Sequence, residues 1–196
     1  WYPWQVPLVL ASRSPRRREI LERAGIPHTV LPSDIEEDRT GGDPREEVLR
    51  WSRAKAGHVA PSCPGRPVLG ADTLVRAGGL TLGKPLDETD AVRMLRLLSG
   101  RPHIVFGGVC VLWPDRGLDI AICEETRVIF RALSDEEIEA YVATREPMDK
   151  AGAYGIQGFG SLLVERIEGC FFNVMGLPLA RTMEAIRTAG PGLPRP

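Results

Sequence analysis

The chain has 196 residues, of which 43% are hydrophobic and 26% charged, the proportions of an ordinary globular protein. This length predicts a single domain over residues 1–196, with two lobes, that folds without a disulfide or structural metal. The 25 basic and 26 acidic side chains nearly cancel, so no overall field attracts nucleic acid or an anionic membrane. Disordered, collagen-like and disulfide-dense classes are therefore excluded.

The predicted elements begin with a buried strand over Val6–Ala11. A helix follows at Ser14-Pro15, because serine caps helices and proline suits the first turn, where its missing N–H leaves no unpaired donor. Gly25 is a natural end for this helix. Asp43-Pro44 opens a second helix by the same chemistry, and that helix carries Lys55.

The middle of the chain favours strands. A strand over Pro67–Ala71 ends at Asp72, and the glycine pair Gly78-Gly79 predicts a hairpin. The remaining predicted elements here are a helix from Asp87 to Gly100 and strands over Val105–Leu112 and Ile120–Phe130.

The last third begins with a capping box, Ser134 with Glu137, which predicts another helix. The elements predicted after it are an ordered glycine-rich loop over Lys150–Gly160, strands over Leu162–Val164 and Phe171–Val174, a helix over Leu179–Ala189 and a frayed tail at 190–196. This mixture fits an α/β or α+β protein with a mixed, curved sheet flanked by helices.

The four cysteines, Cys63, Cys110, Cys123 and Cys170, form no CxxC pair and no zinc-ligand spacing. Their wide gaps predict buried free thiols in a reducing compartment. No apolar run reaches the roughly 20 residues of a membrane span, and the start, Trp1-Tyr2-Pro3-Trp4, lacks a signal-peptide plan. We therefore expect a cytoplasmic protein with no membrane partner.

A basic cluster, Ser12-Arg13-Ser14-Pro15-Arg16-Arg17-Arg18, falls at the predicted start of the first helix. Cations there oppose the positive end of the helix dipole. A bound phosphate resolves the conflict, because free N–H groups, serine hydroxyls and guanidinium groups converge on it. The alternative is a solvated basic helix start.

Acidic side chains form a second candidate group, with Glu36-Glu37 after a strand-like segment and Asp72 at the end of a strand. Carboxylates that face phosphates generally need Mg²⁺ or Mn²⁺ between them, because like charges repel. Read alone, Glu36-Glu37 also fits a solvated charge run, and Asp72 also fits a turn cap.

Lysines and a glycine loop complete the candidates. Lys55 and Lys84 could neutralise phosphate charge, and Lys150 enters the glycine loop. Glycines allow close backbone approach to a ligand, and Gln157 could read a base edge by hydrogen bonds. Each feature alone also fits an ordinary surface lysine or an irregular loop.

Other catalytic patterns are missing from the sequence. His28, His58 and His103 have no partners at metal-ligand or triad spacing. The chain contains neither a GxxxxGK[ST] phosphate loop nor a GxSxG nucleophile elbow. A serine-hydrolase interpretation is therefore weak.

Taken together, these segments resemble the Maf family of nucleoside triphosphate pyrophosphatases. The matching stretches are Leu10 to Arg17, Ile35-Glu36-Glu37, Ser52 to Ala56, Gly70-Ala71-Asp72-Thr73, Gly83-Lys84-Pro85, Asp149 to Gly158 and Asn173 to Pro178. Their order covers nearly the whole chain, which makes the set specific.

The resemblance implies a cytoplasmic, metal-dependent enzyme that hydrolyses nucleoside triphosphates to a monophosphate and pyrophosphate. It implies a mixed α/β fold with a cleft between two lobes, related to the inosine triphosphatase-like architecture. Family members often form dimers, so a homodimer is compatible with the resemblance. Some family members have been linked to septum formation.

The resemblance also implies roles for particular residues. Asp72 falls on the general base. Our hypothesis for the mechanism adds Glu37 and Asp72 as ligands for Mg²⁺ or Mn²⁺. The same hypothesis takes Ser12, Ser14, Arg17, Lys55 and Lys84 as phosphate ligands, of which Lys55 and Lys84, with Glu37, also belong to the catalytic set. Arg16, Thr73 and Gln157 match the residues that mark the branch of the family preferring dTTP and UTP.

Two alternatives remain at this point. One is a pyrophosphatase for modified or non-canonical nucleotides, such as 7-methyl-GTP or inosine triphosphate, in the same fold. The other is a regulatory nucleotide- or nucleic-acid-binding module linked to cell division, which would use the basic helix start. A net charge of −1 and only 6% aromatic residues argue against nucleic acid as a partner.

Overall fold

The structure, a computed structural model, describes residues 6–38 and 41–188. The predicted frayed tail at 190–196 and the Trp1–Trp4 start lie outside these residues. The helices and strands are, in order, β1 (Leu8–Leu10), α1 (Pro15–Arg23), β2 (His28–Val30), α2 (Pro44–Val59), β3 (Val68–Ala77), β4 (Leu80–Leu82), α3 (Glu88–Leu98), β5 (Pro102–Trp113), β6 (Leu118–Phe130), α4 (Asp135–Ala143), β7 (Val164–Glu168), α5 (Phe171–Met175) and α6 (Leu179–Thr188).

The seven strands form one mixed sheet. Its order is β2-β1-β3-β5-β6-β7, and β4 pairs with β3 beside this path. Strand β1 runs parallel to β2 and β3, whereas the pairs β3–β4 and β6–β7 are antiparallel. The predicted α/β class with a mixed sheet is confirmed.

The chain divides into two compact units, each with its own buried core. The first contains the chain up to Asp72, Gly107–Glu124 and the chain from Gly176, and the second contains Thr73–Phe106 and Glu125–Met175. In the first unit, β1 packs with the apolar face of α2 around Val9, Ala56 and Val59. In the second unit, α3 and α4 pack around Phe130 and Tyr154.

The predicted caps of α2 and α4 form as expected. The Asp43 side chain accepts a hydrogen bond from the Arg45 N–H, with Pro44 in the first turn of α2. Ser134 and Glu137 form both bonds of the predicted capping box at α4. These caps close hydrogen bonds within a few residues, so local sequence is enough to specify them.

Two predicted elements are wrong, and the end of one predicted strand is misplaced. Phe171–Val174 is part of a helix, α5, because Asn173 N–H bonds back to the Cys170 carbonyl and its side chain donates to the distant Val105 carbonyl. The strand predicted over Leu162–Val164 begins only at Val164, and Gly158–Leu163 form 3₁₀ turns.

The third correction concerns Asp72, which lies inside β3 and does not end it. The strand continues five residues further because the turn at Gly78 and Gly79, both at positive φ, pairs Val75–Ala77 with β4. Both glycines supply backbone conformations that other residues rarely adopt. The hairpin prediction is therefore confirmed, while the strand boundary moves.

All four cysteines are free, as predicted, but only Cys63 and Cys110 are buried. Cys123 and Cys170 are partly exposed. Burial raises the pKa of the Cys110 thiol to about 12, so this thiol stays protonated at neutral pH. Among the described residues, no helix is both long and apolar enough to cross a membrane.

Candidate active site

The centre of the candidate site is Lys55, on α2. Its Nζ lies 2.8 Å from Oδ1 of Asp72 and 2.6 Å from Oε1 of Glu37. The Asp72 side chain is 3% exposed, that of Lys55 13% and that of Glu37 30%. One ammonium therefore holds two carboxylates together, and the more buried of the two belongs to the central strand β3.

The position of Lys55 depends on a close backbone contact between α2 and β3. A Cβ atom at Gly70 would lie 1.9 Å from the Ser52 carbonyl oxygen and 2.8 Å from the Ala56 nitrogen. Gly70 and Asp72 point to the same face of the strand, because side chains alternate with a period of two. The helix can therefore approach at Gly70 only without a side chain, and this approach brings Lys55 to Asp72.

The basic cluster forms a second group in the same unit. The guanidinium of Arg17 donates from Nη1 to the Ser12 hydroxyl at 3.1 Å and from Nε to the Gly176 carbonyl at 2.8 Å. The Ser12 hydroxyl also accepts from the Ser14 N–H at 3.2 Å. Both Ser12 and Arg17 are buried, so this guanidinium connects the start of α1 to the segment before α6.

The predicted cap of α1 is only partly correct. Ser14 occupies the N-cap position with extended backbone, and Pro15 begins the helix, but the Ser14 side chain makes no capping bond. The first turn holds no acidic residue, and the partly buried Arg16 lies there. The positive end of the helix dipole is therefore surrounded by cations, an arrangement suited to an anion.

The second unit contains Thr73, Lys84 and Gln157. Thr73 continues β3 directly after Asp72. Lys84 is exposed and forms no ion pair within the described part of the chain. The Gly83 carbonyl accepts a 2.9 Å hydrogen bond from the Gly152 N–H. This bond joins the Gly-Lys-Pro turn to the glycine loop that carries the partly exposed Gln157.

The structure thus groups Glu37 with Lys55 and Asp72, and Ser12 with Arg17, while Thr73, Lys84 and Gln157 lie in the other unit. Lys150, singled out at the entrance of the loop, instead donates to the Glu146 carbonyl and to the Asp149 carboxylate at 2.7 Å. Sequence reasoning missed one participant, the Gly176 carbonyl that accepts from Arg17. The Asn-x-x-Gly-Leu-Pro motif was the available signal for Gly176.

The two carboxylates on Lys55 also bear on the predicted divalent metal. Residues 6–38 and 41–188 contain no group of three or more His, Cys, Asp or Glu side chains that could hold a metal ion. Mg²⁺ is commonly held by one or two carboxylates, with phosphates of the substrate and water completing its shell. Glu37 and Asp72 fit that donor set, because both have an oxygen within 2.8 Å of one cationic atom.

The segments on which the predicted resemblance rests therefore belong to a mixed α/β fold with this lysine–carboxylate cluster and a basic helix start. The family model described as "Maf-like protein" matches residues 7–189, and the chain belongs to this family. It is 52% identical over 186 residues to the "dTTP/UTP pyrophosphatase" of Moorella thermoacetica, covering 93% of this chain and 95% of that protein.

Two further relatives carry the same name. Identity is 50% over 184 residues with the Koribacter versatilis protein, covering 93% and 94% of the two chains, and 50% over 186 residues with the Geobacter sulfurreducens protein, covering 93% and 96%. Among solved structures, the Staphylococcus aureus Ham1 protein gives a TM-score of 0.39 at 14% identity, covering 79% of this chain and 78% of that chain. The match to the family model and the identities to the three named pyrophosphatases confirm the family resemblance predicted from the motifs.

Proposed function

We propose that this protein hydrolyses dTTP and UTP to the nucleoside monophosphate and pyrophosphate. Relatives that bear this activity in their names are about half identical to it over nearly its whole length. The observation that carries the proposal is the contact of Lys55 with Asp72 and Glu37. It places a buried carboxylate and a cation together, as acid–base chemistry on a phosphate requires.

In the proposed reaction, a water molecule attacks the α-phosphorus of the triphosphate. Asp72 orients the water and takes its proton, while the bond from the α-phosphorus to the oxygen bridging it to the β-phosphorus breaks. That oxygen leaves as part of pyrophosphate. The Lys55 ammonium, 2.8 Å from Oδ1, holds the carboxylate in one orientation, which keeps the base positioned for proton transfer.

The cationic side chains take the phosphate charge. We assign Ser12, Ser14 and Arg17 at the start of α1, together with Lys55 and Lys84, to the phosphate chain. Developing negative charge on the leaving pyrophosphate is stabilised by such pre-positioned donors. Because the exposed Lys84 ammonium is not engaged by a carboxylate among the described residues, binding a phosphate there breaks no existing ion pair.

We assign recognition of the base to Arg16, Thr73 and Gln157. A Gln amide offers one acceptor and two donor hydrogens, which complement the imide edge of uracil or thymine. Arg16 lies beside the phosphate ligands on α1, and Thr73 directly follows the proposed base. None of these three groups is assigned a bond to the reacting phosphorus.

We propose that a divalent cation, Mg²⁺ or Mn²⁺, binds at Glu37 and Asp72 in the substrate complex. When bound, it screens the phosphate charge and polarises the P–O bonds. Lys55 lies against the same two oxygens and so compensates their charge when no cation is present. The chain's own contribution is to keep both carboxylates close together.

The test is pyrophosphate release from UTP, dTTP, ITP and 7-methyl-GTP, each with Mg²⁺ or Mn²⁺. We expect UTP and dTTP to have the highest kcat/KM, with equimolar monophosphate and pyrophosphate as products. Preference for ITP or 7-methyl-GTP would transfer the assignment to the modified-nucleotide alternative. Release of inorganic phosphate alone would contradict attack at the α-phosphorus.

A further inference from the structure

The Glu146 carboxylate accepts hydrogen bonds from two backbone amides of the loop that carries Gln157. This loop, residues 150–160, is named here the Gln157 loop. Glu146 Oε1 accepts from the Gly160 N–H at 3.1 Å, and Oε2 accepts from the Phe159 N–H at 3.0 Å. These two amides lie two and three residues after Gln157, so one carboxylate holds the backbone on that side.

Tyr141, at the end of α4, holds the other side of Gln157. Its hydroxyl donates to Glu146 Oε1 at 2.9 Å and accepts from the Gly155 N–H at 3.2 Å. Gly155 lies two residues before Gln157. On both sides of Gln157, backbone amides therefore donate hydrogen bonds to Tyr141 or Glu146, and these two side chains are hydrogen-bonded to each other.

The loop is shaped to admit this pair closely. A Cβ atom at Gly158 would lie 2.6 Å from Glu146 Oε2, and one at Gly160 would lie 2.7 Å from the Tyr141 hydroxyl. Gly158 also has φ of +63°, a conformation that other residues rarely adopt. Gly158 and Gly160 thus allow the close approach of Glu146 and Tyr141, whereas the sequence predicts that the loop glycines allow close approach of a ligand.

The pair is itself held by its surroundings. Tyr141 is buried in the core of the second unit, on the helix that the Ser134–Glu137 capping box begins. The Glu146 N–H donates to the Thr144 hydroxyl at 3.2 Å. Glu146 therefore presents its carboxylate from a fixed backbone position, and hydrogen bonds to a charged acceptor are roughly twice as strong as neutral ones.

We propose that Glu146 is a positioning residue for base selection, which holds the Gln157 loop in the conformation that reads the pyrimidine. This inference rests on the proposed function, in which Gln157 contacts the base. Glu146 acts through Gln157 and has no assigned contact with the reacting phosphate. Its loss should weaken binding of substrate and transition state alike, which raises KM and leaves kcat nearly unchanged.

The experiment compares Glu146→Ala and Glu146→Gln with wild type in steady-state hydrolysis of UTP and dTTP. The alanine variant loses all three hydrogen bonds to the carboxylate, so we expect KM to rise by about tenfold or more, with kcat within about threefold of wild type. The glutamine oxygen can replace Oε1 and keep the bonds from Tyr141 and Gly160. The KM of Glu146→Gln should therefore lie between those of wild type and Glu146→Ala.

The matched control is Glu139→Gln, the same chemical change at an exposed position of α4, the helix that carries Tyr141, and it should match wild type. A merely structural role for Glu146 would lower the amount of active enzyme, and hence apparent kcat, without the graded rise in KM. That result, or an unchanged KM, would overturn the inference.

Two further measurements distinguish failure of this inference from a folding defect in Glu146→Ala and from failure of the proposed function. If thermal melting shows that Glu146→Ala does not fold, Tyr141→Phe removes a single hydroxyl from the same network. It should also raise KM, but by less than expected for Glu146→Ala, because the Phe159 and Gly160 amides still bond to Glu146. Wild-type protein that releases no pyrophosphate from UTP or dTTP would defeat the proposed function itself.

Discussion

The Lys55 ammonium lies 2.8 Å from Oδ1 of Asp72, although 17 residues separate them and one belongs to a helix and the other to a strand. The contact depends on Gly70, where the backbone of α2 touches the backbone of β3. The packing of one helix on one strand therefore determines where the proposed base and its cation lie.

Asp72→Asn tests the proposed general base. The amide keeps the shape of the carboxylate but takes up no proton at neutral pH, so we expect kcat to fall by about 10²-fold to 10⁴-fold. Pyrophosphate release from UTP measures the loss, and thermal melting checks that the variant is folded. Turnover close to wild type in the folded variant would remove Asp72 from the mechanism.

Lys55→Met tests the buried ion pair. Removing the ammonium leaves the Asp72 carboxylate charged and buried, so we expect the free energy of unfolding to fall by about 3 kcal/mol or more. Urea denaturation at pH 7 measures the loss. The double variant Lys55→Met with Asp72→Asn should recover part of this loss, because the buried carboxylate charge is then gone, and it should remain inactive. A double variant no more stable than Lys55→Met alone would contradict this account.

Gly70→Ala tests the contact between α2 and β3. The added Cβ meets backbone, which cannot move aside as a flexible side chain can, so we expect a loss of about 3 kcal/mol in the free energy of unfolding, the upper end of the usual range for overpacking. Activity should also fall, because α2 carries Lys55 away from Asp72. The control is Gly57→Ala in the same helix, where a Cβ meets nothing within 4 Å. It should stabilise by about 0.5–1 kcal/mol.

Glu37→Gln tests the proposed metal ligand. Its neighbour Glu36→Gln is the matched control, because Glu37 pairs with Lys55 whereas Glu36 forms no ion pair within the described residues. We expect Glu37→Gln to raise the Mg²⁺ concentration for half-maximal activity by about tenfold or more, as weakened ligation does. Glu36→Gln should leave it unchanged, and a chelator such as EDTA should abolish activity in both. The same Mg²⁺ dependence in both variants would exclude Glu37 as a ligand.

His103 makes stability depend on pH. Burial lowers its pKa from 6.5 to about 4, and its ring contacts Phe130 and Tyr154 in the core of the second unit. Between these two values the unfolded chain binds a proton that the folded chain does not, so stability is lost as pH falls from about 6.5 towards 4. At pH 4.5 this loss reaches about 2–3 kcal/mol.

Urea denaturation of wild type and His103→Gln between pH 7 and pH 4.5 isolates that contribution. A glutamine does not titrate and can still hydrogen-bond to the Tyr154 hydroxyl, which lies 2.8 Å from His103 Nε2. The variant should lose less stability over this range than wild type does. Parallel pH dependence in the two proteins would show that His103 does not carry the effect.

Local sequence was sufficient for the elements whose hydrogen bonds close within a few residues. Asp43-Pro44, Ser134 with Glu137, and Gly78-Gly79 predicted two helix starts and a hairpin, and all three form. The two wrongly predicted elements were short apolar segments, such as Phe171–Val174, whose residue types favour a strand. Its conformation is instead decided by bonds from Asn173 to Val105 and Thr126, which lie far away in the chain.

The sequence by itself determined the fold class, the caps of α2 and α4 and the family, because these depend on residue types in a particular order. Only the tertiary structure decided that Arg17 bonds to the Gly176 carbonyl 159 residues away, that Lys55 reaches Asp72, and that Glu146 holds the Gln157 loop. Such contacts depend on strand register and on how closely helix and sheet backbones approach, and no spacing along a single chain encodes either distance.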